Sequence, residues 1–110
     1  MAARFELKKG ANGQLVFNLK AGNDEVILTS ETYVAKAAAK ESIAAVRVNA
    51  PFDARYDRRI TNNGQHYFVL KAQSGRALGT SVHYFSAHAT EDGIAAVKRV
   101  APDASLEDLT

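Results

Sequence analysis

Histidine, carboxylate and hydroxyl side chains are the groups in this chain equipped for catalysis or metal binding, and their spacing excludes most of that chemistry. The three histidines are His66, His83 and His88. His83 and His88 stand five residues apart, off the four-residue step that puts two imidazoles on one helix face for zinc, and no cysteine is present to complete a ligand set. No metal is expected. His66 reads as a strand position, His83 as part of a loop before a helix, and His88 as an exposed position early in that helix. Paired-carboxylate catalysis needs one acid of raised pKa beside another in a cleft. The acids on offer are Asp24, Glu25, Glu31, Glu41, Glu91, Asp92 and the equivalent pair Glu6 and Asp57. That pair points outward from strands, where it forms either a shared site near a twofold axis or a solvated face. Gly10-Ala11-Asn12-Gly13 and Asn62-Asn63-Gly64 lack the spacing of a phosphate loop and read as turns. No serine sits in a nucleophile elbow, and the hydroxyls of Thr29, Ser30, Thr80 and Ser81 read as strand-ending groups that satisfy loop backbone. No catalytic, cofactor-binding or metal-binding residue is assigned, and the balance leans away from an enzyme.

Basic charge is harder to dismiss. Residues 1–51 carry seven basic against five acidic side chains, residues 52–102 seven against four, and the last eight residues three acids only. Lys8, Lys20 and Lys71 share the outward strand parity of Tyr67, Val16 and Val69, with Arg59 equivalent to Lys8. Lys8, Lys20, Arg59, Tyr67 and Lys71 are therefore the candidate binding face. Cations around a stacking aromatic make a minimal single-strand or RNA platform. The competing reading is that an open sheet face is ordinarily dressed with Lys and Arg, which discourage edge-to-edge association.

The elements that must hold these residues come from a duplication. Without insertions, residues 1–51 align on 52–102 with 19 identities in 51 columns. Asn12-Gly13-Gln14 falls on Asn63-Gly64-Gln65, Thr29-Ser30 on Thr80-Ser81, Tyr33 on Tyr84 and Ala50-Pro51 on Ala101-Pro102. In each copy two segments alternate apolar and polar residues (4–9 and 14–20; 55–60 and 65–71), joined through Asn-Gly, whose acceptance of positive φ predicts a tight hairpin. Third strands are predicted over 25–30 and 76–81. Helices follow at about 36–49 and 87–99, the second capped by Ser86, and Pro51 and Pro102 end them. The tail, 103–110, reads as a last short strand or a frayed end.

The expected class is α+β: an antiparallel sheet built from two tandem strand-strand-strand-helix units, helices on one face, with a pseudo-twofold axis. Repeat one spans 3–51 and repeat two 54–102. A copy of about 50 residues without disulfide or metal is too thin to stand alone, so the copies are expected to share one core as a single domain.

Phe5-Glu6-Leu7, Asn12-Gly13 followed by Phe17-x-Leu19-Lys20-Ala21, Thr29-Ser30-x-x-Tyr33 and Ile43-Ala44-Ala45-Val46-Arg47, repeated in the second copy, resemble the YegP-like family of small bacterial proteins. The resemblance covers residues 3–110. It implies two strand-strand-strand-helix-strand units forming one sheet with exchange of the terminal strands, and it carries no known activity or cofactor.

Function stays open between classes at this point. The first expectation is a non-catalytic binding module acting through the sheet face or the pseudo-axis, with a protein or a nucleic acid as partner. The alternatives are nucleic-acid binding through the basic face and an enzyme with a site between the repeats. The start of the chain has no apolar export segment and no run approaches the roughly 20 residues a bilayer requires, so a cytoplasmic monomer is expected, with no membrane partner.

Overall fold

The computed structural model describes residues 2–110. Strands β1 (Arg4–Lys9), β2 (Leu15–Lys20) and β3 (Val26–Ser30) precede helix α1 (Lys36–Asn49); β4 (Tyr56–Ile60), β5 (His66–Lys71) and β6 (Ala77–Thr80) precede α2 (Ala87–Val100). A last strand, β7, covers Ser105–Asp108. The seven strands form one sheet in the order β4-β5-β6-β3-β2-β1-β7.

The two copies meet where β3 pairs antiparallel with β6, and the partners Thr29 and Thr80 are also equivalents in the duplication. A pseudo-twofold axis therefore passes between them. Both helices lie on one face of the sheet. Phe5, Leu7, Phe17, Leu19, Leu28, Phe68, Leu70 and Leu78 from the strands and Ile43, Val46, Ile94 and Val97 from the helices belong to one buried cluster. Fully removing each such side chain from water contributes roughly 1.5–3 kcal/mol, and both copies contribute to the one interior.

β1 to β6 pair antiparallel among themselves as expected, but the seventh strand corrects the wholly antiparallel picture: β7 runs parallel to β1, with Arg4 opposite Ser105 and Leu7 opposite Asp108. The cause is the edge it joins. β7 runs antiparallel to β6, the strand before α2, just as β4 runs antiparallel to β3 across α1, and it is parallel to its neighbour only because that neighbour is β1. The tail is thus the exchanged terminal strand, crossing from the second copy to the first.

The hairpins are tight as expected, but the positive φ falls on the glycine of each Asn-Gly pair and not on the asparagine. Only Gly13 (φ 80) and Gly64 (φ 85) take positive φ, and the loop is closed by Gly10 N–H to Gln14 C=O at 2.7 Å and Gly13 N–H to Gly10 C=O at 3.0 Å. Asn12 instead accepts the Gln14 N–H on its side chain at 3.1 Å. Asparagine's preference for turns is satisfied here through its amide group rather than its backbone.

The hydroxyls of Ser30 and Ser81 do the same work in both copies. Ser30 Oγ accepts the Phe17 N–H at 2.9 Å and donates to Glu31 C=O at 2.6 Å; Ser81 Oγ accepts the Phe68 N–H at 3.0 Å and donates to Val82 C=O at 2.7 Å. Each stands in for a ladder acceptor at the strand end. α2 is capped by Ser86, whose Oγ accepts the Ala89 N–H at 3.1 Å, whereas α1 begins at Ala35 without a side-chain cap.

Candidate binding surface

On the sheet face away from the helices, the cations do not stand free. Lys20 Nζ lies 3.0 Å from Glu6, and Arg4 approaches Glu6 at 2.8 Å, Asp24 at 2.7 Å and Glu107 of the tail at 3.4 Å. In the second copy Asp57 takes Arg59 at 2.8 Å and Lys71 at 3.2 Å. Lys20 and Arg4 hold the Glu6 carboxyl below its ordinary range, and Arg59 and Lys71 do the same to Asp57. Of the five residues expected to form a basic face, Lys20, Arg59 and Lys71 are thus spent on carboxylates, Lys8 has no ion-pair partner among the described residues, and Tyr67 tilts against His83 with ring centroids 5.4 Å apart.

Glu6 and Asp57 form no shared site. They sit on β1 and β4, five strand steps apart in the sheet, which is roughly 24 Å at ~4.8 Å per step. Glu6 also departs from a solvated face, being only 7% exposed beneath Arg4 and Lys20. Asp24 shows how firmly this cluster is built. Its φ of 67 is the left-handed conformation that Gly75 supplies in the second copy, and its carboxylate is the one that reaches Arg4.

The histidines are dispersed. His66 pairs with Tyr84 in an isolated bridge off β5, His83 Nδ1 lies 3.1 Å from Gln65, and His88 is exposed on α2, 3.7 Å from Asp92. Among the described residues, no group of three or more metal-ligating side chains comes together.

What spacing did not reveal is a hollow of about 200 Å³ beside the outer edge of β4, lined by Arg58, Arg59, Ile60, His66, Tyr67, Ala87, Thr90 and Glu91. It is shallow and falls below the usual range of sites that enclose a small molecule. In the first copy the places of Arg58 and His66 are taken by Leu7 and Leu15, both buried. In the second copy Arg58 turns outward, its Nε 2.5 Å from Glu91 and its Nη2 2.9 Å from Asp53, and Lys98 also reaches Asp53 at 2.9 Å. These cations draw the Asp53 carboxyl down to about 2. Ile60, which lines the hollow, is 65% exposed, and the loop bridged to His66 carries Val82 and the 97% exposed Phe85. The one signal for this site in the sequence is disagreement between the copies, Leu7 against Arg58 and Leu15 against His66.

Comparison with known proteins finds a match to the DUF1508 family, described as a domain of unknown function, over residues 4–57 and again over 62–108. The UPF0339 protein YegP of Escherichia coli K12 is 44% identical over 110 residues, covering the whole of both chains, and a UPF0339 protein of Pseudomonas aeruginosa is 47% identical over 108 residues, 98% of each. The solution NMR structure of the E. coli yegP protein, of unknown function, superposes with a TM-score of 0.94 at 44% identity, covering 100% of this chain and 95% of that one. A UPF0339 protein of Shewanella oneidensis, also solved by NMR, gives 0.93 at 43% identity and covers 100% and 93%.

Proposed function

We propose a non-catalytic protein-binding role for this chain, which belongs to the DUF1508 family together with the YegP proteins, with the β4 side of the second copy as the docking surface. The observation that carries this reading is the hollow at Ile60, His66 and Tyr67, with Ile60 on its rim and largely exposed, and with exposed Val82 and Phe85 on the loop bridged to His66. Exposed apolar and aromatic groups near a shallow depression beside paired charges match the composition of protein interfaces. The same observations weigh against an enzyme: the depression is small, and the carboxylates lining or flanking it, Glu91 and Asp53, are held low by Arg58 and Lys98 rather than raised for proton transfer.

The test is affinity capture from a native extract of the source cells with the wild-type chain and with the Tyr67→Ala and Phe85→Ser variants. A partner retained by the wild type and lost from both folded variants supports the reading. Identical profiles from all three overturn it.

A second reading, single-strand nucleic acid on the open sheet face, is favoured by one observation: Tyr67 and Lys8 lie on that face, with the ring only partly covered and the ammonium unpaired among the described residues. Retention on a polyanionic column that falls steeply with salt, and drops on Lys8→Ala, supports it. Elution indifferent to both removes it.

A further inference from the structure

The two outer strands of the six-strand core are equivalents in the duplication, yet among the described residues only one has a neighbour on its outer side. β1 carries β7 along its outer edge, and β4, its counterpart, ends the sheet. The register pairs Arg58 with Phe68, whose own N–H goes inward to the Ser81 hydroxyl, so the Arg58 N–H and C=O face away from β5. At the corresponding place in the first copy, the Leu7 C=O accepts the Leu109 N–H of the tail at 2.8 Å. The chain therefore displays what an occupant of this edge looks like: an extended, acidic segment, Ser105-Leu106-Glu107-Asp108, lying parallel and anchored by Arg4 to Glu107 at 3.4 Å and by Lys36 to Asp108 at 3.0 Å.

At β4 the cations for such a segment are in place and the strand is not. Arg58 lies along the vacant edge, with Nη1 3.5 Å from the Tyr56 C=O, and Asp53 holds both Arg58 and Lys98. Lys98 is the equivalent of Arg47, which in the first copy donates to Ala104 C=O at 2.8 Å, immediately before β7. Asp53 thus engages the cation whose counterpart grips the backbone leading into the tail. It is a carboxylate in the position where an acidic strand would bring its own.

We propose that the free edge of β4 accepts an extended acidic segment of a partner protein as an added parallel strand, repeating on the second copy what the tail does on the first. This rests on the protein-binding reading above and supplies the chemistry of the partner. Main-chain hydrogen bonds to Arg58 and to the Tyr56 C=O give the affinity, and exchange of Asp53 and Glu91 for the incoming carboxylates on Arg58 and Lys98 gives the preference for acid. The hollow receives one side chain of the strand.

The probe is the acetylated peptide of residues 103–110, titrated into the full-length, isotopically labelled protein at low salt, with a control peptide carrying lysine for Glu107 and Asp108. The expected result is movement of the Arg58 and Ile60 amide resonances, weakening of binding by about tenfold or more for the control, and a similar weakening on Arg58→Pro, which removes the outward N–H at an edge where proline is tolerated. Equal binding of both peptides, movement confined to β1 and β7, or no movement at millimolar peptide overturns the proposal. Lys98→Glu, which leaves the edge N–H intact, guards against misfolding of the proline variant: weaker binding of the acidic peptide is expected, and unchanged binding overturns the preference for acid. Should the peptide fail while capture from extract still depends on Tyr67 and Phe85, the acidic-strand proposal falls and the broader reading stands.

Discussion

A Cβ built onto Gly79 would lie 2.8 Å from Cγ of Leu28 and 2.9 Å from its Cδ2. These two residues are equivalents in the duplication, side by side at the junction of β3 and β6, and only one of them has a side chain. The pseudo-axis has room for a single leucine. The copies must therefore differ at this point, so the break in sequence symmetry is a packing requirement.

Gly79→Ala is expected to destabilise the fold by about 1–3 kcal/mol, the usual cost of an added carbon in a filled interior. In a Leu28→Ala background the same change should cost less, because the leucine it would strike is gone. Denaturant unfolding of the four proteins checks this; equal costs in both backgrounds would contradict the contact.

Ser30→Ala and Ser81→Ala each leave a buried backbone N–H, of Phe17 or Phe68, without its acceptor. The expected loss is about 1–3 kcal/mol in each case and of similar size in the two, since the geometry repeats. Ser→Thr, which keeps the hydroxyl, should recover part of it. Urea midpoints with unchanged slopes are the measurement.

Acid should weaken the molecule. Glu6, Asp24, Asp57 and Asp108 are all held below their ordinary range by cations or, for Asp108, first by the Thr110 hydroxyl, and Asp53 is drawn from 3.8 to about 2. A carboxyl whose folded pKa is depressed binds fewer protons in the folded state, so its contribution is present above the ordinary value and disappears as pH falls through the folded one. Thermal midpoints are expected to hold steady above the ordinary carboxyl range and to drop as pH is lowered from 3.8 toward about 2. A midpoint that rises over this interval would contradict the ion-pair assignments.

Ending the chain after Ala104 removes β7 and with it the partner of β1. Amide exchange at Phe5 and Leu7 is expected to accelerate strongly, while β5, paired on both sides, keeps its protection. Uniform acceleration across both copies would mean that the tail stabilises the whole sheet rather than one edge.

Much of this architecture was legible in the sequence because two signals reinforced each other. Alternation placed Phe5, Leu7, Phe17 and Leu19 on one face, and the ungapped duplication applied the same assignment to Phe68 and Leu70. The helices, Ser86 and the serine hydroxyls followed from local chemistry. The partner of β7 did not, since an acidic segment with one leucine at its second position does not encode which edge it joins or in which direction. Burial of Glu6 was equally hidden, because parity predicts a face and not what neighbouring arginines and lysines lay over it. The hollow escaped for a further reason: shared residues were read as the informative ones, whereas the site arises where Leu7 and Leu15 are replaced by Arg58 and His66.

The union of β1 and β7 has a bearing on how the protein is made. Arg4 leaves the ribosome ahead of Ser105, with five strands and both helices made between them, so the first strand waits through the synthesis of those elements for its outer neighbour. During that interval its exposed rim can recruit any other nascent or unfolded segment. That edge is closed only in chains in which Ser105–Asp108 has been made.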